Sequence, residues 1–144
     1  MKKISILILF TCCFLSCSKD DDDINPLVGR WYYEQIIYTS WNSESMISST
    51  GNFPGCEADS HYNISGNYVE LTEFLSCEKW NIFQGTFNSE KNQITIANSK
   101  TESSVYDVQL EKGKLILRNT TTSIYNNELW THTITQICVR RPAK

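Results

Sequence analysis

The chain has 144 residues, of which 13 are basic and 16 acidic, so its net charge is −3 at pH 7. This length is enough for one domain of ordinary size. The near-neutral balance, with no basic stripe, excludes a protein built to bind nucleic acid.

The chain begins with a short basic segment followed by an apolar run. Met1-Lys2-Lys3 precedes the apolar residues 4–15, a run shorter than the roughly 20 residues needed to cross a bilayer. This arrangement predicts a secretory signal peptide over residues 1–16, which takes no part in the fold. A buried N-terminal strand or helix is the alternative interpretation.

The apolar run ends in Leu15-Ser16-Cys17. These residues resemble the lipobox of bacterial lipoproteins, in which a small residue precedes the cysteine that becomes lipidated. The family usually has leucine where Phe14 stands here. The resemblance implies that Cys17 carries several acyl chains, and several chains anchor a protein durably to a membrane.

Residues 17–26 are then expected to form a lipidated acidic tether. Its consecutive aspartates repel one another and bury nothing, so the segment should be extended. Ser18, Lys19, Asp20 and Asp21 also resemble the export signal of Bacteroidota-type lipoproteins. That resemblance implies an outer-membrane lipoprotein displayed at the cell surface. A periplasm-facing anchor and a plain solvated spacer are the alternatives.

Three cysteines remain in the predicted domain, residues 27–144. An exported chain lies in an oxidising compartment, where a disulfide is the default state of two cysteines within reach. Cys56 and Cys77 flank a predicted hairpin and each lies in a loop, so we expect them to be bonded. Cys138 lies in an apolar strand and is expected to be a small buried hydrophobic residue.

Period-two alternation predicts eight strands in this domain. They are residues 31–39, 61–65, 68–74, 80–88, 93–97, 104–111, 114–119 and 130–140. Irregular loops are predicted over 40–56 and 120–128. Eight strands joined mainly by hairpins lose their edges by closing into an antiparallel up-and-down barrel. The predicted fold class is therefore all-β.

Alternation also assigns the inner face of the barrel. The inward residues are predicted to be Val69, Leu71, Phe83, Phe87, Ile94, Ile96, Tyr106, Val108, Leu110, Leu115 and Leu117. The last strand is ambiguous, because Trp130 to Ile134 place apolar residues on one face while Ile137 and Val139 place them on the other. A bulge near Thr135-Gln136 would reconcile the two halves.

Gly29-Arg30-Trp31 opens the first predicted strand. Gly-x-Trp here, with Gly85-Thr86-Phe87 in the fourth strand, resembles the lipocalin superfamily, specifically the small lipocalin-like domains of bacterial lipoproteins. The resemblance covers residues 27–141 and implies a small barrel without the C-terminal helix of larger lipocalins. It also implies that Trp31 plugs the closed end and that Arg140 or Arg141 packs across it. For the two arginines, contact with solvent or an anion is the alternative.

An eight-stranded barrel is of a size at which the interior is either just filled or holds one small ligand. The candidate ligand-binding residues are Phe83, Phe87, Tyr106, Val108 and Leu117 inside, with Trp41 and Phe53 of the first long loop. Together with Met46, these two loop residues form either a lid over the open end or a satellite cluster folded down on the barrel. One functional hypothesis is therefore a monomer that binds a small apolar or amphipathic molecule. The other is a filled barrel that contacts a protein or glycan at the cell surface.

A catalytic constellation is not evident. The two histidines, His61 and His132, lie on distant strands, and the common nucleophile, phosphate-loop and zincin motifs are missing from the sequence. Cys56, His61 and Cys77 match no standard zinc spacing. We therefore expect no enzyme activity, no metal and no cofactor.

Overall fold

The computed structural model describes residues 25–142, so the predicted signal peptide, lipidation site and export signal lie outside the described residues. The described part contains nine strands and one short 3-10 helix, Gly55–Asp59. The strands are β1 Gly29–Trp41, β2 Met46–Asn52, β3 His61–Ser65, β4 Tyr68–Leu75, β5 Glu78–Asn88, β6 Gln93–Ala97, β7 Ser103–Glu111, β8 Lys114–Tyr125 and β9 Glu128–Val139.

Eight of these strands close into a barrel. Strands β3 to β9 pair antiparallel in chain order, and β1 completes the ring by pairing with both β3 and β9. This confirms the predicted all-β, up-and-down fold class. The prediction of an irregular loop over 40–56 is wrong, because this segment contains β2, which pairs with residues 35–41 of β1. Its Ser- and Thr-rich sequence hides the strand, since both faces of β2 are largely exposed.

The predicted polar loop over 120–128 is also wrong. Strands β8 and β9 pair continuously up to Tyr125 and Glu128 and are joined by a tight turn at Asn126-Asn127. Both asparagines have positive φ, 51° and 63°, as a two-residue hairpin turn requires. The side chains of residues 120–123 in β8 are β-branched or small, which suits a strand, but they are not apolar. Alternation of hydrophobicity therefore does not reveal this part of β8.

The barrel interior contains one apolar core. Its largest fully buried side chains include Trp31 and Tyr62, and the partly buried Phe53, Phe83, Tyr106 and Val108 pack against the cluster. The other core residues are Leu27, Tyr33, Ile64, Val69, Leu71, Phe87, Ile94, Ile96, Leu115, Leu117 and Cys138. Most of the predicted inward residues are thus buried. Leu110, at the end of β7, is instead 41% exposed.

The register of β9 is regular, so the bulge considered near Thr135-Gln136 is absent. The extra residue lies in β1, between Tyr33 and Gln35. In β9 the inner face continues from Ile134 through Gln136, which is buried, to Cys138. Gln136 is accommodated because the hydroxyl of Tyr62 donates a hydrogen bond of 2.6 Å to its side-chain oxygen.

The 3-10 helix is held at both of its sides. Cys56 in this helix is bonded to Cys77 in the β4–β5 turn, which confirms the predicted disulfide. The third cysteine of the predicted domain, Cys138, is free and buried. From the C-terminal segment, Nη1 of Arg141 donates to a carboxylate oxygen of Asp59 at 2.7 Å. The helix lies between β2 and β3 in the chain, and these contacts place it against β1 and β4.

The closed end of the barrel is organised around Trp31, which is 1% exposed. Its indole N–H donates to the carbonyl oxygen of Leu27 at 2.8 Å. The guanidinium of Arg140 lies 4.6 Å from the Trp31 ring centroid and donates to the carbonyl oxygens of Pro26 and Val28. Arg141 stacks on Tyr32 instead, so only Arg140 of the two arginines covers the tryptophan. Within residues 25–142, no helix is long and apolar enough to cross a membrane.

Candidate functional site

Beyond the ring of eight paired strands, at the end of the barrel opposite Trp31, four strands form a sheet in the order β2-β1-β9-β8. Residues 35–41 of β1 lie between β2 and β9, and the described pairings of residues 119–125 join β8 to β9 alone. We call residues 35–52 and 119–137 the sheet extension. Because Cys138 and Gln136 point inward, alternation assigns each residue of the extension to the inner or the outer face.

The sheet extension is poor in charge. Its 37 residues contain Glu44, Glu128 and His132 but no lysine or arginine. At the overall charged fraction of 20%, about seven charged residues would be expected in a segment of this length. Charged residues are depleted at the centres of protein interfaces and abundant on ordinary surfaces, so this composition is typical of a contact surface.

Apolar side chains occupy the outer face of the extension on all four strands. Trp41 pairs with Met46 of β2 on one side and with Thr131 of β9 on the other, and Leu129 pairs with Ile124 one step further along. We call Trp41, Met46, Ile124 and Leu129 the apolar platform. Their exposed fractions are 37, 73, 76 and 62%, respectively. Large apolar residues that share one exposed face occur at protein and membrane contact surfaces and in ligand-binding grooves.

Two grooves border Trp41 within the platform. One, of about 580 Å³, is lined by Trp41, Leu129 and Glu128 together with polar turn residues. The other, of about 550 Å³, is lined by Trp41, Met46 and Glu44. Asn42 donates a hydrogen bond of 2.7 Å to Glu128, which ties the β1–β2 turn to the β8–β9 hairpin. The two hairpin tips therefore form one surface.

The open end of the barrel has a second set of groups on its inner face. Tyr33 packs against Phe53 and Tyr62, with ring centroids 4.8 and 5.7 Å apart. Burial raises the pKa of Tyr33, and the nearby Cys138 and Glu73 raise it further. Burial also raises the pKa of Glu73 itself. Aromatic rings of the core and one partly desolvated carboxyl group thus lie close together.

Two buried polar atoms on this inner face lack a hydrogen-bond partner among the described residues. They are the Tyr33 hydroxyl and the indole N–H of Trp130. His132, two residues from Trp130 on the same face, lies within 2.8 Å of the hydroxyls of both Ser40 and Ser123. Buried polar atoms without partners are rare in folded proteins, and a ligand or ordered water would satisfy them.

All the predicted ligand-binding residues except Trp41 lie in the apolar core or pack against it. Phe87 and Leu117 are buried in the core, and Val108 lies with Phe87 in a groove of about 620 Å³ at the closed end. Phe53, Phe83 and Tyr106 border the core. Burial raises the pKa of Tyr106, and the nearby Glu73 carboxylate raises it further. Trp41 lies on the outer face and does not cover the opening.

Sequence reasoning missed the sheet extension and the groups on the inner face. The exposed Met46, Ile124 and Leu129 lie in segments interpreted as loops, so their common face is not visible in the sequence. Tyr33 and Tyr38 both face inward only because of the extra residue in β1. The low count of charged residues from 119 to 137 is the one signal of the extension that the sequence contains.

Neither the disulfide region nor the rest of the described chain offers a metal site. Cys56 and Cys77 are bonded to each other and cannot act as thiolate ligands. Residues 25–142 contain no group of three or more histidine, cysteine, aspartate or glutamate side chains arranged to hold a metal ion.

No family model matches the chain, and no curated protein matches it significantly.

Proposed function

We propose that this chain is a lipid-anchored, surface-displayed interaction module that binds a protein partner through the apolar platform. The observation that carries the proposal is the sheet extension, where exposed large apolar residues coincide with the absence of lysine and arginine. The buried core, which includes Phe87 and Leu117, supports a module of this kind because it makes the barrel stable on its own. The closed barrel then serves as a rigid support.

The composition of the platform favours a protein over a glycan as the partner. Sugars are recognised through their hydroxyl groups by polar side chains, with aromatic rings against their apolar faces. Met46, Ile124 and Leu129 are aliphatic or thioether side chains without hydrogen-bonding capacity, and they account for most of the exposed platform. Methionine and aromatic residues are enriched in protein–protein interfaces. Because Glu44 and Glu128 border the platform, a partner with basic residues around an apolar centre fits best.

The resemblance of Leu15-Ser16-Cys17 to a lipobox supports the anchor, and Ser18 to Asp21 support display at the cell surface. A lipidated chain is extracted from membranes only with detergent, because several acyl chains bind the bilayer durably. The Cys17→Ala variant should therefore move to the soluble fraction of the producing cells. Retention of this variant in the membrane fraction would rule out lipidation at Cys17.

Proximity labelling on intact host cells tests the platform. Truncating an interface tryptophan often costs about 2 kcal/mol or more, so Trp41→Ala should reduce the labelling of a specific partner severalfold. Leu129→Ala should act in the same direction. Trp80→Ala is the matched control, because Trp80 is 64% exposed on β5, outside the sheet extension. If all three variants label the same proteins as the wild type, the platform is not the interface.

A small amphipathic ligand at the open end is a second candidate function. It is favoured by the Tyr33 hydroxyl and Trp130 N–H, which lack partners among the described residues, and by the desolvated Glu73. Native mass spectrometry of protein purified from its host should then show an added small-molecule mass, which Glu73→Gln should weaken. Repeated recovery of the bare protein would eliminate this candidate without affecting the platform proposal.

A further inference from the structure

A groove of about 640 Å³ lies on the outer wall near the closed end, away from the apolar platform. Its charged lining comes from Arg30 on β1 and from Arg140 and Arg141 after β9, opposed by Asp59 of the 3-10 helix. Tyr32 and Phe74 contribute apolar walls. Three cations and one anion give the groove a net charge of +2, which contrasts with the chain as a whole at −3.

Two of the arginines are engaged in holding the fold. Arg140 covers Trp31 and donates to the carbonyl oxygens of Pro26 and Val28. Arg141 stacks 4.4 Å from the Tyr32 ring centroid and donates to Asp59 and to the carbonyl oxygen of Ala58. The single carboxylate of the groove is therefore already paired with Arg141. These contacts fix both guanidinium groups in position, and of the two only Arg141 is paired with a carboxylate.

Arg30 has a different environment. Its only side-chain hydrogen bond to a described residue is a long one, 3.4 Å, from Nη1 to the Tyr32 hydroxyl. The described residues place no carboxylate within ion-pair distance of it. A guanidinium group has five N–H donors, so most of the donor capacity of Arg30 is available to a ligand. Its planar fork matches the oxygens of a phosphate or carboxylate group.

His61 contributes its imidazole ring to the wall of the groove. Its Nδ1 lies 2.7 Å from the carbonyl oxygen of Asp59, and because a carbonyl can only accept, Nδ1 carries the proton. The imidazole also packs against the Tyr32 ring, with centroids 5.2 Å apart. Together with Phe74, these rings form a flat apolar wall beside the arginines.

We propose that this groove is a binding site for an oxyanion, a phosphate or carboxylate group carried on an apolar or ring-shaped body. The anionic group pairs with Arg30, in the field of Arg140 and Arg141, and the body lies against Tyr32, His61 and Phe74. A cleft with an excess of one sign of charge concentrates ions of the opposite sign, and the attraction weakens as salt screens it. The site uses none of the platform residues, so it stands or falls independently of the proposed function.

Phenyl phosphate is the probe for this site, titrated into the purified full chain at low salt and followed by NMR shifts of the groove residues. We expect saturable binding that weakens about tenfold or more in Arg30→Ala and weakens as salt is raised. Arg118→Ala is the matched control. Arg118 is an exposed arginine on β8 that donates a hydrogen bond to Gln109. Its replacement removes the same positive charge at a position outside the groove. This control variant should bind like the wild type.

Three further results decide the occupant. Equal weakening by Arg30→Ala and Arg118→Ala, or shifts that do not saturate, would reduce the effect to general charge attraction and overturn the proposal. Binding that appears only after Asp20 to Asp23 are replaced by asparagine would support the site and identify carboxylates of the chain itself as competing occupants. Displacement of bound phenyl phosphate by vesicles containing an anionic phospholipid, but not by neutral vesicles, would support the site and identify a lipid headgroup as the source of the phosphate.

Discussion

Replacing Gly85 by alanine is expected to destabilise the barrel by about 3 kcal/mol, at the upper end of the usual cost of overpacking a core. Gly85 lies on β5 directly opposite Ile96 of β6. A Cβ atom at this position would overlap the carbonyl oxygen of Thr95 and lie 2.7 Å from Cδ1 of Ile96. The obstacle is backbone in a paired strand, so a side chain cannot simply rotate away. Strands β5 and β6 would have to separate.

Chemical denaturation of the wild type and of Gly85→Ala measures this effect. Gly113→Ala is the control, because a Cβ at Gly113 meets nothing within 4 Å although φ is +77°. That variant should lose only the cost of a left-handed residue, roughly 1–2 kcal/mol. Should Gly85→Ala prove no more destabilising than Gly113→Ala, the close approach of β5 and β6 would not be a constraint on the fold.

Removing the disulfide is expected to lower the free energy of unfolding by about 3 kcal/mol, because the bond restricts a loop of the unfolded chain. Cys56 and Cys77 are 21 residues apart. The native state should also loosen locally, since the bond fixes the 3-10 helix beside β4. Ser60, just after this helix, accepts a bond from the amide of Tyr33 through its carbonyl and from the amide of Phe74 through its hydroxyl.

The double variant Cys56→Ser/Cys77→Ser tests both parts of this expectation. Its unfolding free energy gives the stability loss, and hydrogen exchange at the Tyr33 and Phe74 amides reports the local loosening. A reducing agent should destabilise the wild type to the same extent and leave the double variant unchanged. A double variant as stable as the oxidised wild type would show that Arg141 and the neighbouring strands hold the helix without the bond.

The sequence predicts most of the barrel because the strands with one buried face alternate clearly. Val69 and Leu71, or Ile94 and Ile96, are separated by residues that face away from the core, and the structure buries all four. The disulfide was predictable because Cys56 and Cys77 lie on opposite sides of one hairpin. By contrast, β2 and the outer half of the β8–β9 hairpin have no buried face. Hydrophobic alternation cannot detect strands of that kind.

The candidate surface was less accessible to sequence reasoning than the fold. Trp41, Met46, Ile124 and Leu129 come from four strands, and only the pairing of β1 with both β2 and β9 brings them to one face. The sequence singles out Trp41 and Met46 as loop residues over the open end, but it does not place them on one outer face with Ile124 and Leu129. The arginine groove is similar, because Arg30 and Arg141 are distant in sequence and meet through the closure of the ring.

The length of the β8–β9 hairpin sets how far the platform is held from the membrane of an anchored chain. The described chain starts at the closed end, where Pro26 contacts Arg140, whereas the platform lies at the far tips of the strands. The twelve residues of β9 span about 30 Å along the barrel once a tilt of about 40° is included. The platform therefore lies about 30 Å from the end of the barrel at which the described chain starts, on the side that an N-terminal anchor would turn away from the membrane.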